Sequence, residues 1–153
     1  MAEVMSWRSR YVTVRTRFMD DLLHSGVHEL GYQQVALLRS GLDTRAFRLP
    51  YLANVHLYEL EDCSEILNYR MQTMQNYKPH RIHHLIPADL SDSQSLWVTA
   101  LLNANYQPQS PTVWIVEGVS MYLQASEAHE LFNRLSKLSS VKNLLEVVEL
   151  SSC

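Results

Sequence analysis

The sequence predicts an α/β protein of three layers, α/β/α, with a mainly parallel sheet between two layers of helices. Three observations predict it. Short apolar runs alternate along the chain with segments of helical periodicity, and strands separated by helices are joined by right-handed crossovers into a parallel sheet. The runs are nearly continuous in hydrophobicity, as strands covered on both faces must be. No repeat, low-complexity stretch or Pro/Gly-rich linker interrupts the alternation, so the 153 residues read as a single domain, a helical segment over 1–30 preceding a core over 33–138.

The elements follow in order. Residues 9–30 read as one or two helices, with Tyr11, Val14, Phe18, Leu22 and Leu23 at near-helical spacing. The run 34–38 is a strand ending at Ser40-Gly41. A short helical turn follows with Asp43 as its N-cap, and Pro50 ends it. Residues 55–60 form a second strand. Asp62 opens a helix to about residue 76, with Glu65 three positions on as in a capping box. A third strand over 81–86 precedes a helix over 92–103, and Pro108 and Pro111 mark the loop after it. Residues 112–117 are a strongly apolar fourth strand. A helix over 126–138 carries Ala128, Leu131, Leu135 and Leu138 on one stripe. Residues 144–150 fit either a strand or a helix.

Composition narrows the function. The formal charge is −3, so there is no excess of Lys and Arg to neutralise phosphates, and nucleic acid is a poor candidate partner. No apolar run is long enough to span a bilayer, and the first 17 residues lack the apolar core of a secretory signal. Two cysteines, Cys63 and Cys153, do not make a disulfide framework, which fits a reducing cytoplasm.

In open parallel sheets ligands bind beyond the carboxyl ends of the strands, so the residues just after each strand matter most. Gly41 follows the first, where a glycine lets the backbone turn with φ > 0 and pass close to a ligand. No G-x-G-x-x-G surrounds it, because Arg39 stands two positions before and no third glycine follows, which disfavours a dinucleotide. Glu59 and Glu61 end the second strand on one face. A carboxylate there can accept both ribose hydroxyls of an adenosine, leaving the other acid to a structural partner. Asp89 follows the third strand, placed either to receive an adenine amino group or to start the next loop. Glu117 ends the fourth strand, and an acid there must face a cleft or pair with a cation, since burying it alone is costly. His24 and His28, and the cluster His80, His83 and His84, have metal-compatible spacing but no completing partner, so no metal site is expected.

These residues resemble a known family. The run Gln34 to Leu49, with Gly41-Leu42-Asp43-Thr44-Arg45-Ala46-Phe47-Arg48-Leu49 at its centre, is similar to the first glycine motif of the leucine carboxyl methyltransferase-like, S-adenosylmethionine-dependent O-methyltransferases. Four further blocks stand in the family's order: Arg15-Thr16-Arg17-Phe18-Met19-Asp20-Asp21, Tyr58-Glu59-Leu60-Glu61, Ala88-Asp89-Leu90, and Glu117-Gly118-Val119-Ser120-Met121-Tyr122-Leu123. The resemblance implies a Rossmann-like class I methyltransferase fold and S-adenosyl-L-methionine as cofactor. By position it implies that Arg15 holds the methionine carboxylate, Gly41 lines the methionine and ribose region, and Glu61 binds ribose. Asp89 and Leu90 would contact adenine, and Glu117 would face the methionine amino group. The implied acceptor is a carboxylate or hydroxyl, on a small molecule or a protein C-terminus.

Three departures from the family pattern stand out. Arg39 replaces a small residue, Glu61 is one methylene longer than the usual aspartate, and the chain is shorter than the family's enzymes, so its C-terminal strands are expected to be incomplete. That would leave the fourth strand as a sheet edge open to self-association, partly covered by residues 144–150. The alternative to an active enzyme is a truncated, inactive cofactor-binding remnant or interaction module.

Overall fold

A computed structural model describes residues 2–79, 82–92, 96–119, 122–138 and 144–148. Helix α1 (Ala2–His28) leads into β1 (Gln34–Leu38), the short α2 (Arg45–Arg48) and a 3-10 turn (Pro50–Asn54). Then come β2 (His56–Glu61), α3 (Ser64–Thr73), β3 (His83–Pro87), α4 (Leu96–Asn103), β4 (Thr112–Glu117), α5 (Ala125–Lys137) and β5 (Leu144–Val148). The strands form one parallel sheet in the order β3-β2-β1-β4-β5.

The predicted architecture is the one observed. Strands β1 and β4 are buried almost end to end, and each strand alternates its side chains between two separate cores. On one face Val35, Leu37, Leu57, Val113 and Ile115 pack with Met19 and Leu23 of α1, Ala46 of α2 and Leu52 of the 3-10 turn. On the other, Ala36, Leu38, Tyr58, Leu60, Trp114 and Val116 pack with Trp97 and Leu101 of α4 and Leu131 and Leu135 of α5. Each fully buried leucine of this kind contributes about 1.5–3 kcal/mol.

One local expectation is narrowed and three are corrected. Residues 9–28 belong to one helix, and its core-facing residues are Met19 and Leu23, whereas Val14 and Phe18 are 69% and 53% exposed. Helical spacing alone left the choice of face open, because α1 carries apolar side chains on several sides. The helix after β2 starts at Ser64 with Cys63 as its N-cap and no capping box, since the Asp62 carboxylate pairs with Arg39 instead. Thr44, not Asp43, occupies the N-cap of α2, although the Asp43 side chain does accept from the Arg45 N–H at 2.7 Å. Residues 144–148 are a strand paired with β4, so β4 is an interior strand of the sheet.

A reciprocal cap does occur at α5, where Glu127 Oε2 accepts from the N–H of Gln124 at 2.6 Å. Glu127→Ala is expected to lower stability by about 0.5–1 kcal/mol, measured as a shift of the urea midpoint at constant slope.

The order 3-2-1-4-5 reverses between β1 and β4. A crevice opens at such a switch point because the connections leave the two strand ends in opposite directions. The residues it exposes here are those after Leu38 and those around Glu117.

Candidate functional site

Beyond the carboxyl ends of β1, β2 and β4 lies a cavity of about 630 Å³, walled by α1, the β1–α2 turn and the start of α3. Arg15, Gly41, Glu61 and Glu117 all line it. A smaller cavity of about 210 Å³ is lined by Asp89 and Leu90. The two share Arg39 and Tyr122. The sequence-selected residues therefore converge, but on two adjoining chambers.

The turn after β1 is built by two left-handed residues, Arg39 at φ 53° and Gly41 at φ 53°. An added Cβ at Gly41 would meet only ordinary contacts at 3.8 Å or more, so the dihedral angle, not crowding, asks for glycine. Arg39 has no such freedom, and its backbone strain is about 1–2 kcal/mol. The Gly41 N–H donates to Glu61 Oε2 at 2.6 Å. Glu61 Oε1 accepts from the N–H groups of Asp62 and Cys63 at 3.1 and 3.0 Å. A carboxylate offers about four lone-pair sites, so three backbone donors leave room for about one more. This Glu61 can accept one hydroxyl, where the sequence suggested two.

Glu59, the other acid of β2, is fully buried and points away from the cavity. It stands 2.5 Å from Arg70 Nη2 of α3 and 3.3 Å from His83 Nε2 of β3. Burial pushes the Glu59 carboxyl up, but His83 and Arg70 outweigh it and the net shift is down. The strand thus divides its acids as anticipated, one to the crevice and one to a structural partner.

At the far wall Glu117 is held by two arginines. Its Oε1 lies 2.5 Å from Arg15 Nε, and its Oε2 accepts from Arg45 Nη1 at 3.1 Å. Arg45 is only 2% exposed and also donates to Asp20 Oδ1 at 2.8 Å and to Asp43 Oδ2. Arg48 donates to both oxygens of Asp20. Burial raises the pKa of Asp43, with Glu59 and Glu117 pushing the same way and Arg45 opposing. Three arginines and three carboxylates make a charge-balanced wall, in which Arg15 and Glu117 face the cavity as a cation and an anion side by side.

Arg45, Asp20 and Arg48 lie within the motif runs but were not singled out in the sequence. The available signal was the crowding of arginines with acids in the segments 15–21 and 43–48. Asp89 is exposed and its Oδ1 accepts from the N–H and hydroxyl of Ser91 at 2.9 and 2.6 Å. Leu90 is buried. The His24 and His28 rings lie 4.4 Å apart, tilted by 44°, beside Tyr51, while His84 stacks on Tyr58. His80 lies outside the described residues, among which no three His, Cys, Asp or Glu side chains group to hold a metal. No helix among them is long and apolar enough to cross a membrane.

Comparison with known proteins points to one family and one fold. A family model described as leucine carboxyl methyltransferase matches residues 1–136. A protein of Parafrankia sp. (strain EAN1pec) is 39% identical over 142 residues, which are 92% of this chain and 43% of that protein. One of Mycobacterium avium (strain 104) is 34% identical over 139 residues, 90% of this chain and 43% of its own. Both carry the provisional name of an S-adenosyl-L-methionine-dependent methyltransferase. The chain thus spans less than half the length of these relatives. Among solved structures, a DUF574 family protein of Streptomyces avermitilis MA-4680 superposes with a TM-score of 0.65 at 16% identity, covering 85% of this chain and 51% of that one. A provisionally named methyltransferase of Thermobifida fusca YX gives 0.63 at 14% identity, covering 79% and 46%. At such identities the likeness establishes the fold, which is that of the class I methyltransferases.

Proposed function

Because this chain belongs to the leucine carboxyl methyltransferase family, we propose that its crevice binds S-adenosyl-L-methionine and serves methyl transfer to an oxygen acceptor. The observation that carries this reading is the Arg15–Glu117 pair on the cavity wall, a cation and an anion 2.5 Å apart. An amino-acid zwitterion presents the complementary charges, so Arg15 would meet its carboxylate and Glu117 its ammonium group. The residues present fit the rest of the cofactor. Glu61 keeps capacity for a ribose hydroxyl. The buried Ser40 hydroxyl, on the cavity-lining turn, has no hydrogen-bond partner among the described residues. Leu90 and Asp89 offer an apolar wall and an acceptor for adenine in the smaller chamber.

S-adenosyl-L-methionine, when bound, supplies a methyl group activated on a sulfonium. The protein's part is to fix both ends of the cofactor, orient the acceptor in line and keep water away. A carboxylate acceptor is ionised at neutral pH and asks for no general base, whereas a hydroxyl acceptor does. The charge wall offers arginines and paired carboxylates, none placed as a free base. That favours a carboxylate, on a small molecule or a protein C-terminus.

A second reading, cofactor binding without transfer, draws on the cavity mouth. Val12, Leu42 and Tyr122 at its rim are 47%, 60% and 68% exposed, so water reaches the site. Titration calorimetry with S-adenosyl-L-methionine and S-adenosylhomocysteine tests the shared premise. Saturable binding is expected, weakened about 10- to 100-fold by Arg15→Ala, the range for one charge-assisted hydrogen bond. Absence of heat with the native protein would overturn both readings. Transfer of labelled methyl to carboxylate acceptors then separates the first from the second.

A further inference from the structure

The cavity that holds Arg15, Gly41, Glu61 and Glu117 adjoins the chamber that holds Asp89 and Leu90. The residues common to both linings are Arg39 and Tyr122. Arg39 Nη2 donates to Asp62 Oδ1 and Oδ2 at 3.2 and 3.3 Å, and its guanidinium carbon sits 4.8 Å from the centre of the Tyr122 ring. Asp62 follows the end of β2 and Tyr122 precedes α5, so the three side chains link the two sides of the crevice across the β1 turn. We infer that Arg39, Asp62 and Tyr122 form a latch across the crevice, which an adenosyl ligand must open to reach from the charge wall to the Asp89 chamber. The inference rests on the adenosyl reading of the site, which places the two ends of one ligand in the two chambers.

The energetics make such a latch soft. The side chains of Arg39 and Asp62 are 27% and 32% exposed and Tyr122 is 68% exposed, so the ion pair and the cation–π contact are both screened by water. Opening it therefore lowers affinity without abolishing binding. Its position at a left-handed residue adds a separate signature, because glycine at 39 relieves backbone strain while alanine does not. A shared gain in affinity with a gain in stability confined to the glycine variant isolates the side chain from the backbone.

The test is calorimetric titration of native protein, Arg39→Ala, Arg39→Gly and Asp62→Asn with S-adenosylhomocysteine and with S-adenosyl-L-methionine, alongside thermal melts. Both Arg39 variants are expected to bind each ligand about tenfold more tightly than native, a factor equivalent to about 1.4 kcal/mol. Asp62→Asn should shift affinity the same way by less, since it frees the guanidinium without removing it. Unchanged affinity in all variants overturns the latch while leaving the adenosyl site intact. Weaker binding by the Arg39 variants also overturns it, by showing that the guanidinium holds the ligand. A gain limited to the sulfonium ligand overturns it in favour of charge repulsion. Absence of binding by every folded protein, native included, removes the latch together with the adenosyl reading.

Discussion

Arg45→Met is expected to destabilise the fold by about 3–5 kcal/mol, the usual consequence of removing one partner from a buried ionic cluster. The side chain is 2% exposed and joins Asp20 from α1, Asp43 from the β1–α2 turn and Glu117 from the end of β4. Methionine fills much of the volume and neutralises nothing. Arg48 retains Asp20 and Arg15 retains Glu117, so the uncompensated charge falls chiefly on Asp43. That carboxyl already has a raised pKa in the native fold through burial, and loss of Arg45 raises it further. A raised folded value favours the protonated fold: stability is greatest below the unfolded value and declines as pH rises through the folded one. The variant's deficit should accordingly widen from acidic to neutral pH. Urea unfolding at several pH values measures it, and a loss below about 1 kcal/mol at neutral pH would remove Arg45 from the centre of the network.

Arg70→Met should have an effect of similar size through a different group. Glu59 is 0% exposed and Arg70 2%, and besides this pair Arg70 donates to the Asp43 carbonyl at 3.0 Å. Without Arg70 the Glu59 carboxylate keeps, among the described residues, His83 alone, and a cost of about 3–5 kcal/mol follows from leaving a buried charge half-compensated. The pH dependence supplies the sign. In the native protein burial opposes ionisation of Glu59, but His83 and Arg70 together lower its folded pKa below the ordinary carboxylate value. Its stabilising contribution is therefore present above that ordinary value and lost as pH falls through the lowered one. In Arg70→Met burial prevails, the folded pKa rises, and acidification becomes less damaging than in the native chain. Adding Glu59→Gln should restore part of the loss, because the uncompensated charge is gone. Strict additivity of the two substitutions in a double-mutant cycle would show that the pair does not interact.

Both effects turn on arginines that reach acids in other elements of the fold, whereas the elements themselves follow from short-range pattern. The alternation of apolar runs with helical segments is a short-range property, set by side-chain periods of two and 3.6 residues, and it yielded the α/β class, the helices and the strands. The location of Gly41, Glu61, Asp89 and Glu117 at or just beyond strand ends followed from the same alternation, because parallel strands bring all their carboxyl ends to one edge. The face of α1 was less legible: its apolar residues lie on several sides, and the choice of Met19 and Leu23 came from the β1 and β4 side chains opposite them.

Charge pairing obeys a different logic. Arg45 and Glu117 are 72 positions apart, and Arg39 and Asp62 are 23. Whether an arginine ends in solvent, in a buried hub or across a crevice depends on which acids the fold carries to within about 4 Å of it. Chain order therefore prescribed the layers, the strand ends and the kinds of group available at the crevice, since these depend on neighbours a few residues away. Folding alone assigned Arg45 to the charge wall, Arg39 to the partition between the chambers and three backbone donors to Glu61, because those outcomes turn on distances between segments remote in the chain.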